Sequence, residues 1–545
     1  MNEQKLKTQD PRLKPPSLAS QVSRAVVWNT LFVPLRLVAE VTATLVKLNI
    51  LAQASYGLLA LISATNNAIG TWIDLGTGRA LPKYIPETIA AGGPRAMRRL
   101  LVAVLGAQLA LLALVGLGFA LFHDAYLGYL REQIVRVAEP STQEKLLAFV
   151  ASRGWLIIAV VLQLLLTGIA YDVLMAYLSS FFKQRAWNSV ALAAGLLPPL
   201  LSAGAILAGY DVLGVLLAMA AAPTIATALV LWQVLRHQRE VSALPQPERD
   251  TGWLPPGFVR YCGVSFLMTA TDYLASAGFA VFFARNLVDA AVLTAGVSIV
   301  RMVLGYLYTP MVGVQVPLFT RVRAGEGGTL LGAYQSTVRL QVLLLVPGCA
   351  GLLLLAEPIF GLLAPKYMAA AVLVWVLAPT LFLECLLTTA HNALIVYEHL
   401  RTIVVSRLLT LVSVPLVIVL TPTLGIVGAA LAFGLARVLA GAWATGSGVR
   451  LLGLAWPWRF TLRVLLATAA MALAVLGLRA LLPPLAEEVA VSARLLALPL
   501  VLGVAAAGGA VFLAALRLTG GLDPRDREQL EKLKLPGKKW LLRLV

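Results

Sequence analysis

The sequence predicts an all-α polytopic membrane protein with about fourteen transmembrane helices. Hydrophobic residues make up 59% of the chain and charged residues 13%, and the apolar stretches are spread along the whole length. Lys and Arg cluster after every second apolar stretch, as they do in the cytoplasmic loops of multi-pass proteins. The two halves of the chain also resemble each other weakly. Gly78 and Pro82 at the end of the second stretch have counterparts in Gly313 and Pro317 at the end of the eighth. We therefore expect two six-helix bundles related by a parallel pseudo-repeat, followed by two C-terminal helices.

The predicted spans divide the chain into six segments. We expect cytoplasmic basic tails at both ends, and a cell-membrane location with both termini in the cytoplasm, because this orientation places most Lys and Arg inside. The N-terminal segment has no short apolar region before a cleavage site, so we expect no removable signal peptide. The predicted spans lie near 24–46, 57–77, 99–122, 155–180, 187–209, 212–235, 257–283, 290–315, 336–356, 368–394, 401–421, 424–447, 461–482 and 494–517. The segments are the tail 1–23, the N-terminal bundle 24–235, a cytoplasmic linker 236–256, the C-terminal bundle 257–447, two additional helices in 448–517 and the tail 518–545.

Composition and motifs favour transport over catalysis. The formal net charge of +18 is explained by the positive-inside pattern and by attraction to anionic membrane lipids, so we expect no nucleic-acid partner. The sequence contains no GxxxxGK[ST], HExxH or GxSxG motif, and its four histidines lack metal-ligand spacing. We therefore predict that the protein is not an enzyme and that it holds no metal and no cofactor.

The first span carries a polar stripe. Asn29, Arg36, Glu40 and Lys47 are spaced seven, four and seven residues apart, which places them on one side of a helix. A charged side chain at the centre of a transmembrane helix costs about 3 kcal/mol, so such residues normally face a cavity or a partner. Two interpretations stay open. Arg36 and Glu40 neutralise each other as an i,i+4 pair, or the stripe lines a water-filled cavity. The two are compatible, because an anion could open the pair.

A second candidate lies in the eighth span. Arg301 shares a helix face with Ser298, Gly305 and Tyr308, and has no acidic residue within one turn. A buried, unpaired guanidinium needs an anionic ligand or an acidic partner from another helix. Both explanations stay open, and phosphate oxygens are the ligand that a guanidinium fork suits best.

Several acidic residues also lie within predicted spans. Asp272 in the seventh span and Glu384 in the tenth could carry a proton or bind Na⁺, which makes them candidates for coupling transport to an ion gradient. The alternative for Asp272 is an ion pair with Arg301 or Arg437. Towards the cytoplasmic side, we expect Asp74 to close a gate with Arg79 or Lys83.

Residues 55–87 carry a family resemblance. Tyr56-Gly57 precede an apolar span that contains Asn66 and Asn67, and Asp74-Leu75-Gly76 and Arg79 follow it. This arrangement resembles the early signature of polysaccharide transporters, the Wzx-type oligosaccharide flippases of the MOP flippase superfamily. The stretches 183–189 and 209–215 and the fourteen-span plan extend the resemblance over nearly the whole chain.

The resemblance implies two bundles facing a central cleft, alternating access and a polyprenyl-diphosphate-linked oligosaccharide as substrate. In the related lipid II flippases, cationic residues of the first and eighth spans line the cavity, and Arg36 and Arg301 are the positions here that could bind the diphosphate. Asn29, Glu40, Asn66, Asn67 and Tyr308 would add polar lining. We expect a monomer that associates with polysaccharide polymerase machinery. The alternative is a MATE-like multidrug or cation antiporter on the same fold, which would favour a cavity rich in carboxylates and aromatic side chains.

Overall fold

The computed structural model describes residues 35–36, 38–181, 183–242, 252–308, 315–325, 328–482 and 491–520. The predicted N-terminal tail, Asn29 and most of the C-terminal tail lie outside these residues. The described part of the chain is almost entirely helical and contains no β-strand. Its α-helices are α1 (35–36 and 38–50), α2 (Gln53–Ile73), α3 (Thr77–Val135), α4 (Pro140–Ser180), α5 (Gln184–Leu207), α6 (Val212–Ser242), α7 (Phe258–Leu274), α8 (Ala277–Ala280), α9 (Leu287–Tyr308), α10 (Gln315–Arg323), α11 (Leu330–Leu354), α12 (Ala356–Leu363), α13 (Ala369–Val396), α14 (Leu400–Leu409), α15 (Ser413–Leu424), α16 (Ile426–Leu452), α17 (Trp458–Arg479) and α18 (Val491–Leu518).

The helices have the length and composition of membrane spans. Eleven helical stretches of the described residues are long and apolar enough to cross a membrane, or twelve if α7 and the bent continuation Ala277–Phe283 form one span. One of the eleven, Gln53–Val135, contains both α2 and α3 and therefore two of the predicted spans. Every predicted span from 57–77 onward overlaps a described helix, which confirms the all-α polytopic fold. The first predicted span is described from residue 35 only.

A break at Asp74–Gly76 separates α2 from α3 and marks one membrane face, which we call the Gly76 face. Gly76 has φ 74° and leads directly into α3. A Cβ atom at this position would lie 2.3 Å from the carbonyl oxygen of Cys262 and 2.4 Å from the amide nitrogen of Phe266. Only glycine therefore allows the start of α3 to pack against α7. The predicted topology makes the Gly76 face cytoplasmic.

The opposite membrane face carries a helical hairpin of residues 122–153, and we call it the hairpin face. The helices α3 and α4 extend beyond their spans here, with non-helical backbone at Phe122 and Arg153. The hairpin packs onto the body of the protein through Leu130 and Ile134, which are fully buried. Arg136 Nη1 also donates to the backbone carbonyl of Arg285, 3.3 Å away, at the start of α9. The hairpin is thus docked on the protein.

The spans form two groups that meet along a central line. Helices α2–α6 pack against one another, and α7–α16 form a second group. The two groups meet mainly through α2 and α9. These helices correspond to the second and eighth predicted spans, which have equivalent positions in the predicted repeat. Helices α17 and α18 pack against each other and against α11 and α12 at the side of the second group. This arrangement leaves the surfaces of α1, α2 and α9 available for a central site.

Candidate functional site

A cavity of about 660 Å³ lies between the two groups of helices. Its size falls within the range of about 300–1,000 Å³ that is typical of pockets for a single small ligand. The wall has a polar side on α1, α2 and α9 and an apolar side on α6 and α8. The described residues that line it are Arg36, Glu40, Thr44, Lys47, Tyr56, Leu59, Ala60, Ser63, Ala64, Asn67, Val215, Met219, Ala277, Gly278, Val281, Thr294, Val297, Ser298, Arg301, Met302, Gly305 and Tyr306.

The stripe on α1 faces this cavity. Arg36, Glu40, Thr44 and Lys47 recur every three or four residues, which keeps them on one side of the helix. Arg36 Nε lies 4.0 Å from Glu40 Oε2, and the two side chains are 59% and 58% exposed. The two interpretations of the stripe therefore hold together, because the pair forms and also lines the cavity.

The side chain of Arg36 lies against α5. A Cβ atom at Gly195 would be 2.9 Å from Arg36 Cδ and 3.0 Å from Arg36 Nε. Contacts this short would force one side to move, so the absence of a side chain at Gly195 provides the space for Arg36. These two residues are far apart in the chain, and no sequence pattern connects them.

Arg301 reaches the cavity from α9. Ser298, Met302 and Gly305 lie on the same side of this helix and also line the cavity. Among the described residues, no carboxylate lies within ion-pair distance of Arg301. Glu384 interacts with it at longer range but forms its ion pair with Arg437. The expected interhelical pair of Arg301 with an acidic residue is therefore not formed in the described part of the chain.

The cavity wall has an excess of positive charge. Arg36, Lys47 and Arg301 are its cations, and Glu40 is its one carboxylate among the described residues. Lys47 shares the predicted stripe. On the opposite wall, Tyr56 of α2 and Ser298 of α9 both line the cavity.

The remaining predicted lining residues divide between the wall and its surroundings. Asn67 lines the cavity. Asn66 is absent from the described wall, and its buried Oδ1 atom accepts no hydrogen bond from the described residues. Tyr308 is also outside the described wall, which ends at Gly305 and Tyr306. Asn29 lies outside the described residues.

Asp272 and Glu384 belong to a different cluster, within the second group of helices. Asp272 Oδ1 pairs with Arg407 Nη1 of α14, and its Oδ2 lies 3.4 Å from Arg79 Nη2 of α3. His391 Nε2 lies 3.4 Å from Arg407 Nη2. The sequence suggested Arg301 or Arg437 as the partner of the Asp272 carboxylate; the pairing with Arg79 and Arg407 replaces that expectation.

Arg437 fixes the bend between α7 and α8. Its Nη1 donates to Glu384 Oε1 over 2.7 Å, while its Nε and Nη2 donate to the backbone carbonyls of Ala275 and Asp272 over 2.5 and 3.2 Å. These carbonyls lie where the helix axis turns by 54°. Because a helix break frees backbone acceptors, a multidentate guanidinium at this point satisfies groups that would otherwise be unpaired inside the membrane.

The expected pairing of Asp74 with Arg79 or Lys83 is not formed. Asp74 Oδ1 instead accepts from the backbone amide of Gly78 at 3.0 Å and from Thr77 Oγ1 at 3.2 Å, so this carboxylate stabilises the start of α3. Arg79 bonds to Asp272 across the two groups of helices. Lys83 Nζ lies 4.9 Å from the ring centroids of Tyr84 and Tyr261. Arg79 and Lys83 therefore do connect the groups at the Gly76 face, through other partners.

The hairpin face has its own connection between the groups, which the sequence did not predict. Asn49 Nδ2 donates to the carbonyl of Leu363 over 2.6 Å, and Lys366 Nζ donates to the carbonyl of Asn49 over 2.9 Å. The rings of Tyr56 and Tyr367 meet edge to face with centroids 6.0 Å apart. Polar contacts thus join the two groups on both sides of the cavity.

The sequence matches no protein-family model and no curated protein. The fold, however, is similar to that of solved membrane transporters. Its similarity to the lipid II flippase MurJ in an inward closed conformation has a TM-score of 0.65, with 11% identity over 89% of this chain and 99% of that one. An inward-facing multidrug resistance MATE family transporter of the MOP superfamily gives 0.56, with 13% identity over 76% and 94% of the two chains. A MATE structure in a bent conformation gives 0.51, with 16% identity over 79% and 95%. The predicted MOP-type architecture is confirmed, and the Wzx branch stays a prediction.

Proposed function

We propose that this protein is a flippase that moves a polyprenyl-diphosphate-linked oligosaccharide across the cell membrane by alternating access. The observation that carries the proposal is Arg301, whose guanidinium has no carboxylate partner among the described residues and lines a cavity that also contains Arg36 and Lys47. An unpaired guanidinium within a membrane protein is stabilised by an anionic ligand. The planar donors of arginine match phosphate oxygens well.

Arg36 and Arg301 lie at equal distances from the hairpin face, which would allow both to contact one ligand. Arg36 lies 14 residues before the end of α1, and Arg301 lies 14 residues after the start of α9. Both ends are at the hairpin face, so each arginine lies about 21 Å along its helix from that face. A diphosphate held between them would place its sugar residues near Thr44, Ser63 and Asn67, while its prenyl chain would remain in the surrounding lipid.

The contacts on the two sides of the cavity suggest how access alternates. At the hairpin face, a few hydrogen bonds and one aromatic pair join the groups of helices. At the Gly76 face, the Arg79–Asp272 bond and the contact of Lys83 with Tyr261 join them. Each set is small enough to be broken by rocking of one group against the other, which is the motion of repeat-built transporters.

Coupling of transport to a proton or sodium gradient through Asp272 and Glu384 stays a prediction. Each carboxylate already has an arginine partner in this conformation. A sodium ion at either position would have to take the place of a guanidinium. Coupling at these residues would therefore require the cluster to rearrange during the cycle.

The MATE-like antiporter is the alternative on the same fold. A cavity for organic cations needs carboxylates or aromatic faces to hold the positive charge. Here, an organic cation would meet Arg36, Lys47 and Arg301 and only one carboxylate in the described wall. The sign of the charge therefore favours an anionic ligand.

Replacement of Arg301 tests the proposal. The purified protein is placed in liposomes with a fluorescent polyprenyl-diphosphate oligosaccharide, and flipping is followed by quenching from outside. We expect Arg301→Ala to lower the rate at least tenfold, because a hydrogen-bonded charge contact contributes more than about 1.5 kcal/mol.

Arg463→Ala is the matched control. This arginine donates to the carbonyl of Gly520 at the side of the protein and does not line the cavity. Both variants should melt at nearly the wild-type temperature. An Arg301→Ala protein that folds and flips the lipid at the wild-type rate would reject the proposed site. Extrusion of an organic cation that persists in this variant would favour the antiporter.

A further inference from the structure

Glu40 occupies an unusual position in the cavity. It is the one carboxylate in the described wall, and it lies on the same side of α1 as Arg36 and Lys47. It interacts electrostatically with Lys47 as well as with Arg36. The carboxylate therefore lies between two cations of the wall, in the region where the phosphate groups of a ligand would bind.

The contact between Arg36 and Glu40 is weak. Its shortest distance is 4.0 Å, and more than half of each side chain is exposed. The arginine precedes the glutamate by four residues, which is the less favourable order for an i,i+4 pair on a helix. By comparison, Glu384 and Arg437 approach to 2.7 Å, and their side chains are only 26% and 19% exposed. The Arg36–Glu40 pair is thus one that a ligand can open.

We propose that Glu40 is a resident counter-anion that the ligand must displace, and that it thereby selects a diphosphate over a monophosphate. This inference rests on the proposed flippase function. A diphosphate has enough negative oxygens to contact Arg36 and Arg301 at the same time, which compensates for the lost pair and for repulsion by Glu40. A single phosphate engages fewer donors and is repelled by the same carboxylate.

Such selection has a physical purpose in this setting. A cavity that admits a lipid headgroup is surrounded by phospholipids with one phosphate each, and these outnumber any diphosphate lipid. A purely cationic cavity would bind them. A fixed negative charge within the site costs every phosphate lipid affinity, and only a headgroup that contacts Arg36 and Arg301 together recovers this cost, which is a form of discrimination by repulsion.

The test compares two probes that differ only in their phosphate groups, polyprenyl diphosphate and polyprenyl monophosphate. Binding of each to the full-length protein in detergent is measured for the wild type and for Glu40→Gln. We expect the variant to bind both probes more tightly and the monophosphate to gain more, so that the preference for diphosphate falls about two- to fivefold, as suits an exposed ion pair. Glu40→Asp keeps the charge and should keep most of the preference.

Glu398→Gln is the matched control, because Glu398 is also exposed and paired with an arginine, Arg323, at 3.0 Å, and it does not line the cavity. This variant should bind both probes as the wild type does. An unchanged preference in Glu40→Gln would overturn the inference. Weaker binding of both probes would also overturn it, since Glu40 would then orient Arg36 without competing with the ligand.

The proposed function can fail separately. If the wild-type protein does not bind polyprenyl diphosphate, or if Arg301→Ala binds it with unchanged affinity, the cavity is not a diphosphate site. The proposed role of Glu40 is then rejected as well. If Arg301→Ala weakens binding while Glu40→Gln leaves the preference intact, only the inference about Glu40 is rejected.

Discussion

The protein contains two sets of arginines and carboxylates within its spans, and they differ in how the charges are partnered. In the cavity, Arg36 and Glu40 are exposed and 4.0 Å apart, and Arg301 has no carboxylate partner among the described residues. In the cluster that contains Asp272 and Glu384, Arg437 makes three hydrogen bonds and is only 19% exposed. Arginine inside a membrane protein therefore has two uses here. Where it is ion-paired and bonded to backbone carbonyls it holds helices together, and where the described residues provide no carboxylate partner it is available to a ligand.

The largest effect that this comparison predicts is on stability. Arg437→Ala leaves the Glu384 carboxylate without its ion-pair partner and the backbone carbonyls of Ala275 and Asp272 without a hydrogen-bond donor. Removing one member of a buried ion pair costs about 3–5 kcal/mol. We expect a melting temperature in detergent well below that of the wild type, with loss of folded protein on expression.

Arg301→Ala is the matched comparison, because it removes the same side chain from a neighbouring helix without breaking an ion pair. It should melt within a few degrees of the wild type. If Arg437→Ala were as stable as Arg301→Ala, the distinction between paired and available arginines would be wrong.

A smaller effect on stability is expected at the Gly76 face, where contacts join the two groups of helices. Arg79 lies 3.4 Å from Asp272 and is half exposed, while Arg407 keeps Asp272 paired in its absence. Arg79→Gln should therefore cost less than about 1 kcal/mol of stability. We expect it to shift the population towards conformations in which the groups separate at the Gly76 face.

The native thiol of Cys262 reports this opening. It lies under Gly76 and is 9% exposed. Labelling with a maleimide, resolved by mass spectrometry to separate Cys262 from Cys349 and Cys385, should be faster in Arg79→Gln. Lys83→Gln, which removes the contact with Tyr261, should act in the same direction. Equal labelling rates in wild type and both variants would show that these contacts do not hold the Gly76 face closed.

Hydropathy and helical spacing predicted a large part of this structure. The spans from α2 onward follow from apolar length, because a helix that crosses a bilayer needs about twenty such residues. The stripe on α1 follows from period alone. Asn66 and Asn67 were both expected in the wall, yet adjacent residues on a helix point about 100° apart, and only Asn67 shares the side of Ser63.

The partners of the ion pairs and the extent of the cavity along α9 could not be predicted from hydropathy and helical spacing. Tyr308 lies on the side of α9 that carries Arg301, but the described wall of the cavity ends at Gly305 and Tyr306, and spacing does not reveal where a cavity wall ends. Asp272 pairs with residues 193 and 135 positions away, a choice that the packing of α3 and α14 against α7 decides. The role of Asp74 had a local signal, since a carboxylate just before a helix commonly accepts from its first amides.

The smallest effect concerns the space beside Arg36. Gly195→Ala would place a methyl group 2.9 Å from Arg36 Cδ, and a flexible side chain can move away at little cost in stability. The displaced guanidinium should contact the diphosphate less well. We expect affinity for polyprenyl diphosphate to fall two- to fivefold, about 0.5–1 kcal/mol, with an almost unchanged melting temperature.

A double-mutant cycle distinguishes displacement of the Arg36 side chain from a general disturbance of α5. If Gly195→Ala acts through Arg36, it should have no further effect on affinity in an Arg36→Ala protein, because the two changes then remove the same contact. Equal losses in both backgrounds would show that the methyl group acts elsewhere, and Arg36 would lose its support as a contact of the ligand. The cycle thus tests whether Arg36, an exposed arginine paired with Glu40 in the cavity wall, contacts the ligand.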